Sequence, residues 1–500
     1  MKHDFISLAY LYIKKNIFLL GMLFLLFVSL FSSIQGNDIW WHLKTGEYIL
    51  HETVIPHTDI FSFTVPDNEW IDLSWGFQVF SYLIFSVAGI KGLIFTKTFI
   101  LALTLFLMVM PFPKKTSPVY ILITFFPIII LFKIRAFMRP EIFSYFFAGF
   151  YFYLLRLYAQ KEKYGLIWFL PLVQLLWVNM HSLFFIGPLI YTFFLFDYYI
   201  RKGQTNSGDF KQLLIVWLLI CLINIINPYG LTGVVFPLEL FSRISGKSEI
   251  FCYIEEFQPL LSSLVNVKIK LAVFALLGSI IFLFSLKKEL RRLFYLGVFF
   301  IFVFLTFKAM RNVPLLALIC GTIIFDWLRS ACSKMGVFSK RTEIFLCICI
   351  SLIMILFFVD TKMKVPYLRF HEKFTPVSAV KFLKEQKIEG NIFNVSVGTG
   401  GYLIWEMWPR QKVFTDARLE VYDEKFYREY FSIFGSYSKW LETVKKYDIE
   451  YALLDYTRMR KFLNPKLARD YQDFLSKLYD DHNWKMIYID HLCVIFKREG

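Results

Sequence analysis

Residues Ile17 to Ile34 read IFLLGMLFLLFVSLFSSI, and Gly36-Asn37-Asp38-Ile39-Trp40-Trp41-His42-Leu43 follows almost at once. The run is apolar apart from Ser29, Ser32 and Ser33, and its length suits a bilayer core of about 30 Å. A carboxylate, Asp38, therefore stands where lipid gives way to water. No small-residue cleavage site closes the run, so it is expected to be a retained helix and not a removed leader. From there to Trp75 come His42, Glu47, His51, Glu52, His57, Asp59, Asp67, Glu69 and Asp72, with few bases. Such an acidic, Trp- and His-bearing loop, pinned to a membrane face, suits a substrate that is itself part lipid.

The rest of the chain has the same character. Of its 500 residues 57% are hydrophobic, with 59 Phe and 28 Tyr, and the mean hydropathy is +0.53. Soluble proteins carry roughly 45–50% apolar residues. The net charge of +16 does not point to nucleic acid, because the bases are scattered through short links and form no basic stripe or motif. Six of the seven cysteines lie in or near apolar runs and Cys493 stands alone. None has metal-ligand or disulfide-framework spacing.

About eleven stretches are candidate spans: 17–34, 93–110, 119–134, 142–158, 166–178, 184–200, 212–226, 269–286, 293–307, 314–328 and 343–359. Several are shorter than the usual ~20 residues. Alternate links are basic: Lys2/Lys14/Lys15, Lys114/Lys115, Arg156/Lys161/Lys163, Arg201/Lys202/Lys211, Lys287/Lys288/Arg291/Arg292 and Arg329/Lys334/Lys340/Arg341. The positive-inside bias then predicts a cytoplasmic N-terminus and Asp38 outside. With an odd span count, everything after Asp360 is expected outside as well.

The opposite links hold carboxylates, His, Asn and a few arginines. They include Arg135, Arg139 and Glu141; Asn179 and His181; Glu255 and Glu256; and Arg311 with Asn312. Arginines on the outer side run against the orientation rule, and charge at membrane depth is costly and usually functional or paired. Two readings stand: Arg135, Arg139 and Arg311 hold a phosphate, or they reach outer headgroups and pair with Glu141 and Glu255.

From about His371 the apolar runs shorten. Thr375-Pro376 predicts a helix start, continuing to Gln386. Strands are expected at 391–395, 412–415, 451–455, 484–489 and 492–497, with helices at 423–434, 437–447 and 466–479. Strands alternating with helices and a closing hairpin predict a small α/β domain. Gly398-Thr399-Gly400-Gly401 lacks the Gly-Lys-Ser/Thr ending of a phosphate loop, so a turn or a close backbone approach is expected there. Asp416 and Arg418 are either a structural pair or part of a site. The division predicted is 1–360 as a multi-pass membrane domain, with 36–92 a first outer loop containing interfacial helices, and 371–500 as a soluble extracytoplasmic α/β domain.

Asp38-Ile-Trp-Trp-His42, Ile55-Pro56-His-Thr-Asp59 and Trp70-Ile-Asp72-Leu-Ser-Trp75 resemble bacterial polytopic proteins related to GT-C-fold glycosyltransferases. Met138-Arg139-Pro140-Glu141, Trp177-Val-Asn179-Met-His181, Asn227-Pro-Tyr-Gly230, Glu255-Glu-Phe-Gln-Pro259, Arg311-Asn312-Val-Pro314, Gly400-Gly401-Tyr402 and Val413-Phe-Thr-Asp416-Ala-Arg418 are similar to the same group. The resemblance implies an α-helical polytopic membrane protein, with a large first outer loop and an acid near that loop's start. It implies transfer of a sugar from a polyprenyl-phosphate carrier to a glycan, lipid or protein acceptor outside the cytoplasm. The first-loop acid matches Asp38. No Asp-x-Asp or Asp-Glu pair accompanies it, since Asn37 precedes it, which leaves metal use open.

That chemistry needs a carboxylate to engage the acceptor, cations to meet charge on the leaving phosphate, and an apolar groove for the lipid. Asp38 is the candidate base, and Arg135, Arg139 and Arg311 are the candidate phosphate ligands. Glu141, Asn179, His181, Glu255 and Asn312 are supporting polar residues. If 38–50 is helical, Asp38 and His42 lie at i and i+4 on one face, where His42 tunes Asp38 or both touch a divalent ion. The plainer alternative makes Asp38 a helix cap and the tryptophans interfacial anchors. A transporter or assembly factor of envelope glycans is a rival reading, but no internal repeat is present and the polar residues gather at one face, not at midplane. A polymerase or ligase of lipid-linked glycans shares the many-helix plan. Oligomeric state is not legible.

Overall fold

The computed structural model describes residues 20–34, 36–110, 117–160, 164–202, 207–245, 255–263, 265–286, 292–331, 339–360, 375–455 and 465–499. Of the basic links used to orient the chain, Lys2, Lys14, Lys15, Lys114, Lys115, Lys161, Lys163, Lys287, Lys288, Arg291 and Lys334 lie outside the described residues, as do Cys252, Cys332 and His371.

Each stretch expected to be an apolar span coincides with a helix. The first ones are α1 (Leu20–Leu30), α2 (Asp38–Glu52), α3 (Trp75–Val109), α4 (Pro118–Lys133), α5 (Glu141–Ala159) and α6 (Leu170–Val178). There follow α7 (Ile186–Lys202), α8 (Ser207–Ile223), α9 (Gly230–Ser245), α10 (Val267–Leu286), α11 (Leu293–Lys308), α12 (Val313–Ala331) and α13 (Lys340–Asp360). Among the described residues five helical segments are long and apolar enough to cross a membrane, and Leu20–Leu30, Pro118–Lys133, Gly165–Val178 and Leu293–Lys308 are shorter apolar ones. These are the helices of a multi-pass membrane-embedded chain. On α10, Leu271, Ile281 and Phe282 stand more than half exposed, a surface that hydrocarbon and not water would cover.

Contacts gather the chain into two units. The first draws on residues up to Ser33, on Ile94–Ile226 and on Pro259–Leu368; the second on Ile34–Leu93, Asn227–Gln258 and Arg369–Gly500. The stretch 36–92, assigned from sequence to the membrane domain, thus gathers with the C-terminal residues. Helix α3 runs from one unit into the other and breaks at Gly89 (φ 60°, ψ −155°).

Within the first unit, α5 and α12 bury most of their surfaces. Arg156 of α5 joins them, donating to Asp326 of α12 at 2.5 Å and to the Met108 carbonyl at 2.9 Å. A buried guanidinium with both a carboxylate and a carbonyl avoids the penalty of an unpaired charge. A partly open apolar cleft of about 400 Å³ lies between α1, α4 and α13, lined by Leu25, Leu122, Ile348 and Leu352 among others.

In the second unit, α14 (Val377–Glu385), α15 (Val397–Met407), α16 (Glu424–Gly435), α17 (Tyr437–Tyr447) and α18 (Pro465–Asp480) surround a four-stranded sheet. Its strands are β1 (Asn391–Asn394), β2 (Ile449–Asp455), β3 (Trp484–Ile489) and β4 (Cys493–Arg498), in the order β1-β2-β4-β3. The β1/β2 pair is parallel and the others antiparallel. The closing hairpin turns at Asp490, whose Oδ1 accepts from the Leu492 and Cys493 N–H groups at 2.7 and 2.8 Å, a side-chain mimic of a backbone turn. Trp440 packs against Phe393, Phe474 and Trp484 to centre the core.

Two sequence expectations are corrected. Residues 412–415 join no sheet: Val413 exchanges hydrogen bonds with Phe61 and Phe63 of the first outer loop (3.0 and 3.1 Å), and the Asn394 side chain bonds Phe414 N–H and the Thr415 carbonyl (2.9 and 2.7 Å). With those partners its backbone groups need no ladder. The glycine cluster is no turn either, but lies inside α15. A Cβ on Gly400 would stand 2.0 Å from the Thr415 carbonyl oxygen, so the expected close approach is present in helical form.

Candidate functional site

Site candidates occur in both units. In the second unit, α2 starts at Asp38 and carries His42 one turn on, on the face the i, i+4 spacing predicts. Asp38 is half-buried, and Asn37, not Asp38, occupies the position before the helix without capping it through its side chain. The Asn37 Oδ1 instead accepts from the Thr375 hydroxyl at 2.9 Å. Trp40 lies edge-on to Tyr402 and tilted over Trp405 of α15. The His42 ring lies tilted against Trp41, 3.6 Å between centres, and meets the edge of Phe77. Aromatic packing therefore fixes that imidazole. Among the described residues no three His, Cys, Asp or Glu side chains gather as a metal ion would need.

In the first unit, a tight link between α4 and α5 brings Arg135 back onto the first residue of α5. Arg135 donates from Nε to Glu141 Oε1 at 2.9 Å, and its Nη2 stands 2.7 Å from the same oxygen as an ion pair, with both side chains buried. Glu141 sits in the first turn of α5, where the helix dipole favours an anion. Arg311, on a 3-10 turn (Met310–Asn312), approaches the other oxygen, Oε2, at 3.6 Å and keeps 19% of its side chain exposed. Two guanidiniums against one carboxylate leave an excess of one positive charge within this trio. Arg139 is half-buried, and its guanidinium and that of Arg135 lie 5.4 and 5.3 Å from the Phe137 ring centre.

His181 joins the same group. Its Nδ1 lies 2.8 Å from Ser144 Oγ, which accepts from Trp177 Nε1 at 2.8 Å. In the arrangement that satisfies all three, Ser144 donates to Nδ1. Burial, then the charges of Arg311 and Arg135, hold the imidazole well below its usual pKa, so it is neutral. Ser144 carries no charge and sits in an apolar helix, which hid it in the sequence, while Trp177 stood there only in the motif it shares with Asn179 and His181.

Two expected polar residues hold backbone. Asn179 donates to the carbonyls of Leu175 and Ile226 at 2.9 and 3.0 Å, and Asn312 to that of Leu305 at 2.9 Å. Glu255 opens a 3-10 turn (Glu255–Phe257), and its side chain lies outside the described residues. Lys97 was passed over although a lysine in an apolar helix is itself a signal. Fully buried, it donates to the Ser32 carbonyl and hydroxyl and to the Ser33 carbonyl at 2.8, 2.9 and 3.2 Å.

The Asp416–Arg418 pair that the sequence offered is present, but its link to Asp59 of the first outer loop was not foreseen. Arg418 donates to Asp416 through Nε and Nη2 (2.8 and 2.6 Å) and pairs with Asp59 through Nη2 (2.7 Å), all three side chains being buried. Tyr422 adds a bond to Asp416 at 2.9 Å, and the guanidinium lies over the rings of Phe61 and Trp70. Nearby Asp72 accepts from Ser74 N–H at 2.9 Å, while its Oδ2 has no hydrogen-bond partner among the described residues. Burial pushes Asp72 up to about 6, against the pull of the Ser74 N–H and the Arg418 charge. Burial, then the charge of Asp72, pushes Glu420 up to about 7.

No sequence-family model matches the chain, and no curated protein matches it by sequence. Solved structures do resemble it. The oligosaccharyltransferase AglB of Archaeoglobus fulgidus, in complex with an inhibitory peptide and a dolichol-phosphate, aligns with a TM-score of 0.61 at 11% identity, over 89% of this chain and 70% of that one. The oligosaccharyltransferase of the same organism tethered to an acceptor peptide containing the NVT sequon aligns at 0.56 and 13%, over 92% and 72%. Its apo form aligns at 0.55 and 12%, over 88% and 70%. The likeness at this identity is one of fold: helices and a small C-terminal sheet in the GT-C-like arrangement of an oligosaccharyltransferase.

Proposed function

We propose that this protein is a membrane glycosyltransferase that moves a sugar from a polyprenyl-phosphate-linked donor to an acceptor outside the cytoplasm. The observation that carries this is the fold likeness to an oligosaccharyltransferase whose solved complexes hold a dolichol-phosphate and an acceptor peptide. In the proposed reaction the acceptor's hydroxyl or amide attacks the sugar's anomeric carbon and the bond to the phosphate oxygen breaks. The nucleophile's proton passes to Asp38, and the leaving phosphate carries away the electron pair. Arg311, with Arg135 and Arg139, stabilises that developing charge. Of the three, Arg311 is best suited, because Arg135 is already committed to Glu141 and the Arg311 contact to that carboxylate is long. His42 orients α2, and the bacterial inner membrane with a cytoplasmic N-terminus is the proposed setting.

The test is turnover by the full-length protein in liposomes supplied with polyprenyl-phosphate-linked and polyprenyl-diphosphate-linked sugars and a mixed pool of glycan, lipid and peptide acceptors. Wild-type protein should consume donor and release the polyprenyl phosphate. Asp38→Asn should abolish this while the thermal midpoint stays within a few degrees. Donor left untouched by the wild type, or wild-type rates in Asp38→Asn, would refute the assignment.

A further inference from the structure

The side chain of the residue before Asp38 is held by a part of the chain far along the sequence, and not by its own helix. Asn37 stands where a helix cap usually sits, yet its side chain makes no bond to the first turn of α2. Instead Oδ1 accepts from Thr375 Oγ1 at 2.9 Å, with Asn37 and Thr375 both buried. The Asn37 carbonyl, which accepts from Trp40 N–H at 3.3 Å, faces α15: a Cβ on Gly401 would lie 2.9 Å from that oxygen and 3.4 Å from Trp41 Cδ1. One residue further along α15, Tyr402 meets Trp40 at 5.2 Å between ring centres.

The first N–H groups of a helix have no partner inside it, so a first turn is the segment most ready to fray unless something outside grips it. Here the grip is a hydroxyl from the residue two before α14 and a glycine face of α15. A side chain in that turn moves with it. From this geometry we infer that Thr375 and Gly401 are positioning residues for Asp38, so that the C-terminal region acts on the reaction by setting the place of the helix that carries the base. This rests on the assignment of Asp38 proposed above. Neither residue touches substrate in this scheme. Their effect runs through Asn37, and displacement of a reacting group by about 1 Å costs on the order of a hundredfold in rate.

The experiment uses full-length protein in liposomes and three variants. Thr375→Val keeps the shape and removes the donor; Thr375→Ser keeps the donor; Gly401→Ala adds a Cβ against the Asn37 carbonyl. Thr375→Val and Gly401→Ala should each lower kcat by about 10- to 100-fold with the donor KM unchanged, and Thr375→Ser should restore most of the loss. Hydrogen exchange at the amides of residues 38–42 should speed up in Thr375→Val but not in Thr375→Ser. Unchanged exchange in Thr375→Val would overturn the inference, as would faster exchange at wild-type kcat. Should Thr375→Val fail to fold, Thr375→Ser and Gly401→Ala still decide, since wild-type kcat in Gly401→Ala also overturns it. Asp38→Asn separates the two ideas: activity retained there sinks the assignment of the base, while the exchange measurement reads the grip on α2 independently.

Discussion

Arg418 forms an ion pair with Asp59 at 2.7 Å, with no solvent reaching either side chain. One residue lies in the C-terminal region and the other in the first outer loop. Asp416 shares the guanidinium, and Ser62 and the Phe61 and Ser62 N–H groups complete the shell of Asp59. Around this triad the backbone is stitched as well, with Thr64 donating to the Phe414 carbonyl at 2.7 Å and Trp408 to that of Ile60 at 3.1 Å. Buried charges survive only when every one is paired, which gives the loop and the C-terminal region one shared arrangement.

Arg418→Met should therefore leave two buried carboxylates facing each other without a cation. The expected loss is about 3–5 kcal/mol. Chemical unfolding followed by Trp fluorescence in detergent, or proteolysis within residues 53–74, checks it. A variant as stable as wild type would show that the triad contributes nothing net.

Stability should also fall as pH rises through the neutral range. Asp72 and Glu420 have pKa values raised to about 6 and about 7 from ordinary values of 3.8 and 4.5, so the folded state binds more protons than the unfolded one in between. Their contribution is complete below about pH 4 and is lost as pH climbs through 6 and 7. Because they interact, the loss follows the pair and not either residue. Thermal midpoints from pH 5 to 8 should decline in the wild type, and Asp72→Asn should flatten the curve; an unchanged slope in the variant would exclude Asp72 as the cause.

Arg311→Ala should raise the donor KM by tenfold or more, of the order expected for one lost charge-assisted contact, with the protein still folded. Glu141 keeps its buried ion pair with Arg135, so the fold loses little. Glu141→Gln is the contrast, since it leaves Arg135 buried without a counter-charge and should destabilise the protein by about 3–5 kcal/mol. Donor saturation curves and thermal midpoints on both variants separate the two roles, and a wild-type donor KM in Arg311→Ala would remove it from the phosphate.

Gly400→Ala tests the packing of α15. A Cβ there would lie 2.0 Å from the Thr415 carbonyl oxygen and 3.0 Å from Asn394 Nδ2, and overpacking of this kind costs about 1–3 kcal/mol or more. Gly435→Ala is the control, because nothing lies within 4 Å of its added Cβ. Equal thermal midpoints for the two variants would contradict the close approach.

Much of the architecture was legible in the residues alone. The apolar runs became helices, Asp38 and His42 fell on one face of α2, and the closing hairpin formed where Asp490 stands. Such features are local: hydrophobic period, helix ends and turn residues act over a few positions, so a linear string holds them. The pairing of Arg135 with Glu141 was within reach for the same reason, since a short link joins them.

What only the tertiary structure decided is which distant groups share a buried place. Val413 bonds to Phe61 and Phe63 instead of joining the sheet, Asn37 turns from its own helix to Thr375, and Arg418 takes Asp59 besides its neighbour Asp416. A charged or polar side chain in a sequence can face water as cheaply as it can find a partner. Only burial removes water as the alternative, and burial is created when remote segments pack, so the choice of partner is made by the folded chain.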